Sequence, residues 1–583
     1  MLFWRRTGPE CRFSFDGTRG GGRIPGPPSH FVRNRSAMHL MGSWQRSLHF
    51  DPTSIRDFSF FKLHNSNAVT VLENDRRRLV YQGIIFDATN CQLLHNPGLL
   101  DRAFGFYTYI LFEKGTGAID VGADRLGYSP VYYAWENGIF RFSSSLTLLK
   151  YQLSTVTPNL DAWEESLILG DILGDKTVVR EINRLRWGRK FRMTADRVDS
   201  INIWEPEVPA LTDRQTYIDQ NNELLIEAMK LTQSADRRKF VMLSGGQDSR
   251  RLAVAAHRLD IPITCVTQEA CGKDDTDKDV LLAKAVCELL GVPLLRVPLA
   301  SNQEAYNDSI LKNYWLGHET AEHDWVLPML RRVPKGALMY DGIVADVTVN
   351  GHYFRMYPEL VQRFGDIDYA ARLLCGNRRS PIAPRLVSAP LFERVREELA
   401  RYPNSPHRLT YYFLLNHTRR SIGSWFALFY VFGHTPCLPY IYYPFFIQSL
   451  SLEPKHYFDA WMQNECLKAM NPEAAALPST RTKVPADYVI DLTSEVRARS
   501  QFEARHLWMR RDAGAYLPGF NRSLNIFKAM SALGLRELAN RWSWAPQTLM
   551  RFSEFLDWIE DHTIPEFPVQ RETNEFLDRH FIK

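Results

Sequence analysis

Residues 239 to 249 read KFVMLSGGQDS, and the residues that follow have a helical pattern. An apolar strand that passes through two glycines into a helix is typical of an α/β sheet at its ligand-binding edge, outside the carboxyl ends of the strands. Paired glycines let the backbone approach a phosphate closely, and the helix N-terminus offers free N–H groups and a positive dipole end. The stretch therefore predicts a phosphate-binding loop in a parallel sheet.

The polar residues of this loop indicate the kind of phosphate site. Ser244 and Ser249 can donate hydroxyl hydrogen bonds, whereas Asp248 would repel a phosphate unless a cation lay between them, which predicts Mg²⁺. The common P-loop is excluded because it requires Gly-Lys-Ser/Thr, and residues 243 to 249 contain no lysine. A turn without a ligand is the alternative, and the combination of strand, Ser-Gly-Gly-x-Asp-Ser and helix argues against it.

The segments around the loop alternate between strand and helix patterns. A helix is predicted over 213–231, a strand over 263–267, a helix over 277–290 and a strand over 294–297. Such alternation implies a parallel sheet with right-handed crossovers. From about residue 368 onward the pattern is mostly helical.

The N-terminal half has a different pattern, with short strands separated by turn residues. Phe106–Phe112 and Val131–Trp135 read as strands, and Asn137-Gly138 predicts a hairpin turn before the next strand. The chain as a whole is therefore predicted to be α/β, or α+β overall, with a β-rich domain over 41–205 and a domain that carries the phosphate-binding loop over 206–583. Residues 1–40, rich in Arg, Gly and Pro, are predicted to be disordered or to precede a true start at Met38 or Met41.

Composition excludes several classes of protein. The 583 residues carry a net charge of only +5 and show no concentrated basic patch, so no nucleic-acid partner is predicted. The eight cysteines are scattered without a Cys-x-x-Cys pair, which favours reduced thiols in the cytoplasm. Residues 421–452 carry no charge, but three prolines interrupt them, so no membrane span is predicted.

Two sets of motifs resemble the asparagine synthetase family. The loop resembles that of the ATP pyrophosphatases, whose domain is adenine nucleotide α-hydrolase-like, and residues 340–346 resemble the family segment Gly-x-Gly-x-Asp-Glu. Residues 124–133, DRLGYSPVYY, resemble the Asp-Arg-x-Gly-x-x-Pro-Leu-Tyr-Tyr segment of its glutaminase domain. The resemblance covers most of residues 80–490, and the later segment matches loosely at Gly342, Asp346, Gly351 and Tyr353.

The resemblance implies a fold, cofactors and roles for particular residues. It implies an N-terminal Ntn-hydrolase-like sandwich of the class II glutamine amidotransferase type and a C-terminal ATP pyrophosphatase-type domain. Asp248 and Asp346 are implied to hold Mg²⁺ on the phosphates of ATP, and Lys483 to neutralise charge that develops there. Asp248 and Lys483 are thus the predicted catalytic residues. The predicted ATP-binding residues are Leu243, Ser244, Gly245, Gly246, Gln247, Asp248, Ser249, Thr267 and Gly342.

Two departures from the family put parts of its chemistry in doubt. The family's glutaminase begins with a nucleophilic cysteine, but residue 2 is Leu2, and starts at Met38 or Met41 would expose His39 or Gly42. The β-rich domain is therefore predicted to be a scaffold without glutaminase activity. The second departure is Val347, which follows Asp346 where the family has a glutamate that deprotonates ammonia. Glu319, Glu322, His323 and Asp324 lie near the predicted cleft and are the candidate replacement bases, with helix capping as the alternative role of the acidic ones.

The predicted function is that of an ATP-dependent ligase. It adenylates a carboxylate, which is aspartate by family default, and forms an amide with ammonia or an amine, releasing AMP and pyrophosphate. The predicted partners are a small-molecule or peptide carboxylate and an amine donor, and a homodimer is possible. The alternatives are a condensing enzyme of the β-lactam synthetase or lasso-peptide cyclase type, an enzyme of the same ATP class that thiolates RNA bases, and an inactive ATP-binding regulatory protein.

Overall fold

The computed structural model describes two parts of the chain and a few further strands. The two parts are residues 69–480 and 544–561, with gaps at 234–236, 270–277, 299, 301, 321–325, 377–387 and 460, and within them residues 69, 278, 302, 303, 305–307, 311, 424 and 544–550 are described by their backbone alone. The strands described by backbone alone are 2–7, 10–15, 38–45 and 60–62.

Eighteen strands are assigned within these residues. They are β1 Leu2–Thr7, β2 Glu10–Phe15, β3 Met38–Gln45, β4 Phe60–Lys62, β5 Val69–Glu73, β6 Arg77–Ile85, β7 Gly105–Glu113, β8 Ile119–Ala123, β9 Tyr132–Glu136, β10 Ile139–Ser143, β11 Asn183–Arg184, β12 Arg189–Met193, β13 Val198–Asn202, β14 Lys239–Met242, β15 Ile263–Gln268, β16 Leu294–Val297, β17 Leu338–Tyr340 and β18 Thr435–Cys437.

The α-helices of the described residues lie mostly after residue 206. They are α1 Asn90–His95, α2 Leu146–Lys150, α3 Leu160–Ile168, α4 Arg214–Gln233, α5 Gln247–Arg258, α6 Lys278–Leu290, α7 Asn302–Trp315, α8 Val326–Arg332, α9 Ala345–Thr348, α10 His352–Met356, α11 Glu359–Gln362, α12 Ile367–Cys375, α13 Ala389–Ala400, α14 Arg408–Phe413, α15 Arg419–Val431, α16 Tyr443–Ser449, α17 His456–Asp459, α18 Met462–Met470, α19 Pro472–Ala476 and α20 Trp544–Glu560.

The N-terminal part consists of two antiparallel sheets. Their strand orders are β13-β12-β8-β7-β6-β5 and β11-β9-β10-β3-β4. Buried side chains from both sheets, including Ile110, Phe140 and Phe191, form one apolar cluster between them, so the predicted β-rich sandwich is confirmed. The predicted turn is also confirmed, because Asn137 and Gly138 join β9 to β10 with φ angles of 52° and 74°.

Three strands lie at the beginning of the chain. Strands β1 and β2 pair with each other, and they fall within the segment that was predicted to be disordered. Strand β3 begins at Met38 and pairs with β10, with Met41 opposite Ser143. The domain boundaries at 40 and 205 stay predictions.

The C-terminal part contains a parallel sheet of five strands in the order β16-β15-β14-β17-β18. Alternate side chains of β14 enter two different apolar clusters, Phe240 and Met242 on one face and Val241 on the other. Both faces of the sheet are therefore covered, as is usual for parallel sheets. The predicted strand–helix alternation is confirmed, although α5 begins at Gln247, three residues earlier than predicted.

The uncharged stretch 421–452 folds as a broken helical segment. It contains most of α15, then β18, and then α16. None of the helices that the structure describes is long and apolar enough to cross a membrane.

A buried ionic network joins the two parts of the molecule. Glu319, which follows α7, has no solvent exposure and accepts hydrogen bonds from Arg420 of α15 at 3.1 and 3.2 Å and from Arg184 of β11 at 3.3 Å. Arg184 also donates to the carbonyl oxygens of Gly127 and Tyr128. We call Glu319, Arg184 and Arg420 the junction cluster. It ties the antiparallel sandwich to the helical layer of the parallel sheet.

Candidate functional site

The loop between β14 and α5 is held by its own serines. The Ser244 N–H donates to Ser249 Oγ at 3.1 Å, and the Gly246 N–H donates to Ser244 Oγ at 3.2 Å. Ser244 is exposed, whereas Ser249 is buried. The loop therefore curls over the first turn of α5, where backbone N–H groups lack partners within the helix and can bind an anion.

Gly245 lies at the tightest point of the loop. A Cβ atom there would lie 2.5 Å from the side chain of Leu282 and 2.8 Å from those of both Asp279 and Thr480, so these side chains would have to move for a larger residue to fit. Its N–H donates to Asp279 Oδ1 at 2.7 Å, and its carbonyl accepts from the Thr480 N–H at 3.0 Å. Asp279, near the start of α6, is a loop contact that the sequence analysis missed; the signal available was an acidic residue in the first turn of a predicted helix.

Asp248 is oriented by residues from distant parts of the chain. Its Oδ1 accepts a hydrogen bond from Asn350 at 3.3 Å, and its backbone carbonyl accepts one from the Tyr440 hydroxyl at 2.9 Å. The backbone N–H of Gln463 donates to Asn350 Oδ1, and the Gln463 amide donates to Tyr440 at 2.8 Å. Sequence reasoning missed Asn350, Tyr440 as an Asp248 contact, and Gln463, because each of them is 102 or more positions away from Asp248 in the chain.

The structure brings the other predicted nucleotide contacts to the same edge. Leu243 and Thr267 end neighbouring parallel strands, and the Leu243 N–H donates to Val266 at 2.8 Å. Gly342 follows β17 on the other side of β14, and a Cβ on it would lie 2.6 Å from the backbone nitrogen of Ser249. This edge, which we call the crevice, is where open α/β sheets bind ligands.

Gln247 begins α5 and is anchored outside the crevice. Its amide donates to Asn464 Oδ1 at 2.8 Å, and its side chain is buried. Arg250, on the same helix, is also held by hydrogen bonds, because its guanidinium group donates to the carbonyls of Ala474, Leu477 and Pro478. The segment that ends at Thr480 is therefore fastened to the loop helix.

The two predicted metal ligands are both partly exposed. Asp248 lies in the first turn of α5 and Asp346 in the first turn of α9, after neighbouring parallel strands. Within the described residues, no group of three or more His, Cys, Asp or Glu side chains could hold a metal ion. Two carboxylates nevertheless fit Mg²⁺, because this ion is commonly held by one or two carboxylates together with phosphate oxygens and water.

The turn between β17 and α9 departs from ordinary backbone geometry. Val344 has φ 82° and ψ −31°, a left-handed conformation that favours glycine and is strained for a β-branched residue. In the motif Gly-x-Gly-x-Asp-Glu, Val344 stands at the second glycine. Val347, at the position of the glutamate, is buried in the same apolar cluster as Phe240 and Met242.

Asp341 is a buried carboxyl group at the crevice that the sequence analysis did not select. Its Oδ1 accepts a hydrogen bond from the Ile343 N–H at 2.9 Å, whereas its Oδ2 is buried and has no hydrogen-bond partner among the described residues. Burial raises the pKa of Asp341 to about 7, although the backbone N–H groups of Ile343 and Gly342 act to lower it.

Five residues that were predicted to take part in the reaction either lie outside the described residues or lie away from the crevice. Lys483 and the base candidates Glu322, His323 and Asp324 lie outside the described residues. Glu319 is described, and its interpretation as a crevice base is wrong because its carboxylate is enclosed in the junction cluster.

Two kinds of known protein match parts of the chain in sequence. Residues 93–204 match the family described as a glutamine amidotransferase domain. A stretch of 151 residues is 30% identical to "Putative asparagine synthetase (glutamine-hydrolyzing) 2" of Methanocaldococcus jannaschii, and it covers 25% of this chain and 29% of that protein. The chain therefore matches less than a third of this relative's length.

Two solved structures have weak similarity to the chain. One is the glutamine phosphoribosylpyrophosphate amidotransferase from B. subtilis complexed with ADP and GMP, at 12% identity and a TM-score of 0.16, covering 52% of this chain and 64% of that one. The other is described as the allosteric regulatory enzyme of purine biosynthesis, at 10% identity and a TM-score of 0.18, covering 53% and 69%. TM-scores of this size carry no argument about function. On the sequence matches, residues 93–204 are similar to a glutamine amidotransferase domain, and a quarter of the chain is similar to part of an asparagine synthetase.

Proposed function

We propose that the chain uses ATP to adenylate a carboxylate and then joins it to an amine, releasing AMP and pyrophosphate. The observation that carries this proposal is the loop from Ser244 to Ser249, which curls over the N-terminus of α5 at the carboxyl edge of the parallel sheet. Its serine hydroxyls and the free N–H groups of the helix suit the phosphates of ATP.

Charge at the phosphates would be handled by three side chains. Asp248 and Asp346 would hold Mg²⁺, which offsets phosphate charge when it is bound. Support comes from Asn350 and Tyr440, which hydrogen-bond to the side chain and the backbone carbonyl of Asp248 and so restrict its position. We assign Lys483 to the charge that develops on the α-phosphate and pyrophosphate. Support comes from Thr480, three positions earlier, whose N–H donates to Gly245, since three residues span at most about 11 Å.

The amine is the less defined substrate. Val347 is apolar and buried, so it cannot accept a proton, and free-ammonia amidation of aspartate loses the base that the family uses. This observation favours an amine other than ammonia, as in the β-lactam synthetase and lasso-peptide cyclase type. The sandwich would then serve as a scaffold, fixed to the synthetase part by the junction cluster.

A regulatory protein that only binds ATP is the second candidate. It is favoured by Val344 and Val347, which replace the glycine and the glutamate of the family segment. Thiolation of RNA bases, the third class considered, finds no such support in the described residues. We also propose a cytoplasmic location, because the six described cysteines are free thiols. A homodimer stays a proposal.

The test is ATP–pyrophosphate exchange by the purified protein with Mg²⁺ and a panel of carboxylates that includes aspartate. We expect exchange that depends on one class of carboxylate and that Asp248→Asn reduces by at least a hundredfold. Asp366→Asn is the matched control, because Asp366 caps α12 away from the crevice and its loss should leave exchange unchanged. Tight ATP binding without exchange would favour the regulatory protein, and absence of ATP binding would refute both.

A further inference from the structure

Asp341 lies at the floor of the crevice, where the proposed reaction takes place. Strands β14 and β17 run in parallel with Val241 beside Tyr340, so Asp341 is level with Met242 just before the loop. The next residue, Gly342, packs directly on the backbone of Asp248 and Ser249, as its lack of room for a Cβ shows. Asp341 is therefore separated from the start of α5 by one residue in direct contact with that helix.

The carboxyl group of Asp341 is only half satisfied. Oδ1 accepts the Ile343 N–H, but Oδ2 is shut off from solvent and has no hydrogen-bond partner in the described part of the chain. A buried carboxylate oxygen without a partner costs free energy, so an unpaired one calls for an explanation such as a catalytic role. Nothing in the Asp341–Ile343 turn requires a second oxygen, because Oδ1 alone closes it.

The pKa of the Asp341 carboxyl group is consistent with its burial and incomplete hydrogen bonding. Burial raises the pKa of Asp341 to about 7, with the Ile343 and Gly342 N–H groups opposing the shift. No charged side chain contributes to the shift among the described residues, although Asp248 lies on the neighbouring α5 and Cys437 on the neighbouring β18. A group with a pKa near the working pH exchanges protons most effectively.

The proposed reaction needs a general base, and this chain lacks the glutamate that the family uses for that purpose. An amine that attacks an acyl-adenylate must lose a proton, and the position after Asp346 holds Val347, which is packed into the core. We propose that Asp341 is the general base that takes the proton of the attacking amine. This inference rests on the proposed function and adds a catalytic residue to it.

The step balances without a further reactant. The amine nitrogen forms a bond to the acyl carbon, and the bond from that carbon to the AMP oxygen breaks, with its electron pair leaving on AMP. The proton released from nitrogen passes to Asp341 Oδ2. Product release then returns the proton to solvent.

Access to Oδ2 requires movement of the turn beside it. In the structure this oxygen is closed to water, which would protect an acyl-adenylate from hydrolysis. Val344, three residues on, holds a left-handed backbone that is strained for valine. Relief of this strain when a substrate binds is the movement that would open Oδ2 to the amine.

Asp341→Asn separates the two half-reactions. Asparagine keeps an acceptor for the Ile343 N–H but cannot take a proton. With the carboxylate identified by exchange, we expect Asp341→Asn to retain ATP–pyrophosphate exchange within about threefold. We expect it to lose about a hundredfold or more in amide formation, the size typical of a lost general base. The acid limb of the rate, near pH 7 in the unaltered protein, should disappear.

Hydroxylamine provides a second readout. Because it is weakly basic, its attack depends less on a base, so hydroxamate formation should fall much less than amide formation in Asp341→Asn. Asp341→Ser, whose hydroxyl can also accept the Ile343 N–H, covers the case in which the asparagine variant does not fold, and Asp366→Asn serves as the control. Equal loss of exchange and amide formation, or amide formation with an unchanged pH profile, would overturn the proposal. No exchange in the unaltered protein would overturn the proposed function and this inference together.

Discussion

The junction cluster and the crevice each bury a carboxyl group, and they treat it in opposite ways. Glu319 receives hydrogen bonds from two arginines, and the Tyr132 hydroxyl lies 3.5 Å from its Oε2. Asp341 has one backbone partner and leaves Oδ2 unpaired. Full pairing offsets the cost of burying Glu319, which suits a structural contact, whereas incomplete pairing leaves Asp341 close to the balance between its charged and neutral forms.

The buried arginines at the junction also bear a cost of burial, which shows in their pKa values. Burial lowers the pKa of Arg184, and burial together with Arg184 and Arg420 lowers the pKa of Arg419 to about 9. These groups are crowded, and they depend on Glu319 and on carbonyl oxygens for compensation. The loss of one charge at the junction should therefore lower the stability of the protein, whereas in the crevice Asp341 Oδ2 can still accept a hydrogen bond.

The largest effect is expected from Glu319→Gln. Two buried arginines would lose their counter-charge, and breaking a buried ion pair in this way typically costs about 3 kcal/mol in the free energy of unfolding. Chemical denaturation monitored by tryptophan fluorescence measures it. Glu397→Gln, at an exposed position of α13, is the matched control and should change stability by less than about 0.5 kcal/mol. A cost below 1 kcal/mol for Glu319→Gln would remove the distinction between junction and crevice.

A buried group that stays neutral gives the next largest effect. Burial lowers the pKa of His407 to about 4, although its hydrogen bond to the Leu452 carbonyl opposes the shift. The unfolded chain binds a proton here near pH 6.5, so stability from this group is complete above that pH and is lost as pH falls towards 4. At pH 5 the loss is about 2 kcal/mol.

His407→Gln tests this pH dependence. Glutamine can still donate to Leu452, and it does not titrate, so the variant should lose less stability than the unaltered protein between pH 7 and pH 5. Denaturation midpoints measured across that range give the difference. His257→Gln, an exposed position on α5, should leave the pH dependence nearly unchanged. Parallel curves for the unaltered protein and His407→Gln would show that folding does not lower the pKa of His407.

The smallest effect concerns the crevice and sharpens its description. Asn350→Ala removes the hydrogen bond to Asp248 and should weaken Mg²⁺-dependent nucleotide binding about tenfold, a usual result for a residue that orients a metal ligand. Calorimetric titration of ATP at several Mg²⁺ concentrations measures this change. Asn202→Ala, exposed on β13, is the control. If affinity fell equally with and without Mg²⁺, Asn350 would support the fold rather than the metal site.

Part of the site could be predicted because its chemistry is local. The strand, the two glycines and the helix of residues 239–258 are consecutive, so their pattern alone placed the loop at a sheet edge. The Asn137-Gly138 turn was predictable for the same reason. Thr267 and Gly342 came with the family resemblance rather than from a local pattern, and the parallel register brings the ends of their strands beside that of β14.

Other parts depended on contacts that no local pattern encodes. Asn350 and Tyr440 reach Asp248 across 102 and 192 positions, and Glu319 pairs with Arg184 across 135. An acidic residue looks the same in the sequence whether it faces a crevice or an arginine, which is why Glu319 was misinterpreted. Asp341 looked unremarkable in the sequence because its significance comes from burial.

The sequence by itself determined the class of fold, the Gly-Gly loop at the sheet edge and the two departures from the family pattern, because periodicity, glycine pairs and missing side chains are properties of neighbouring residues. Only the tertiary structure decided which carboxyl groups are paired. Burial and hydrogen bonding set the free energy of a charge, and both are produced by residues that the fold brings together from distant positions.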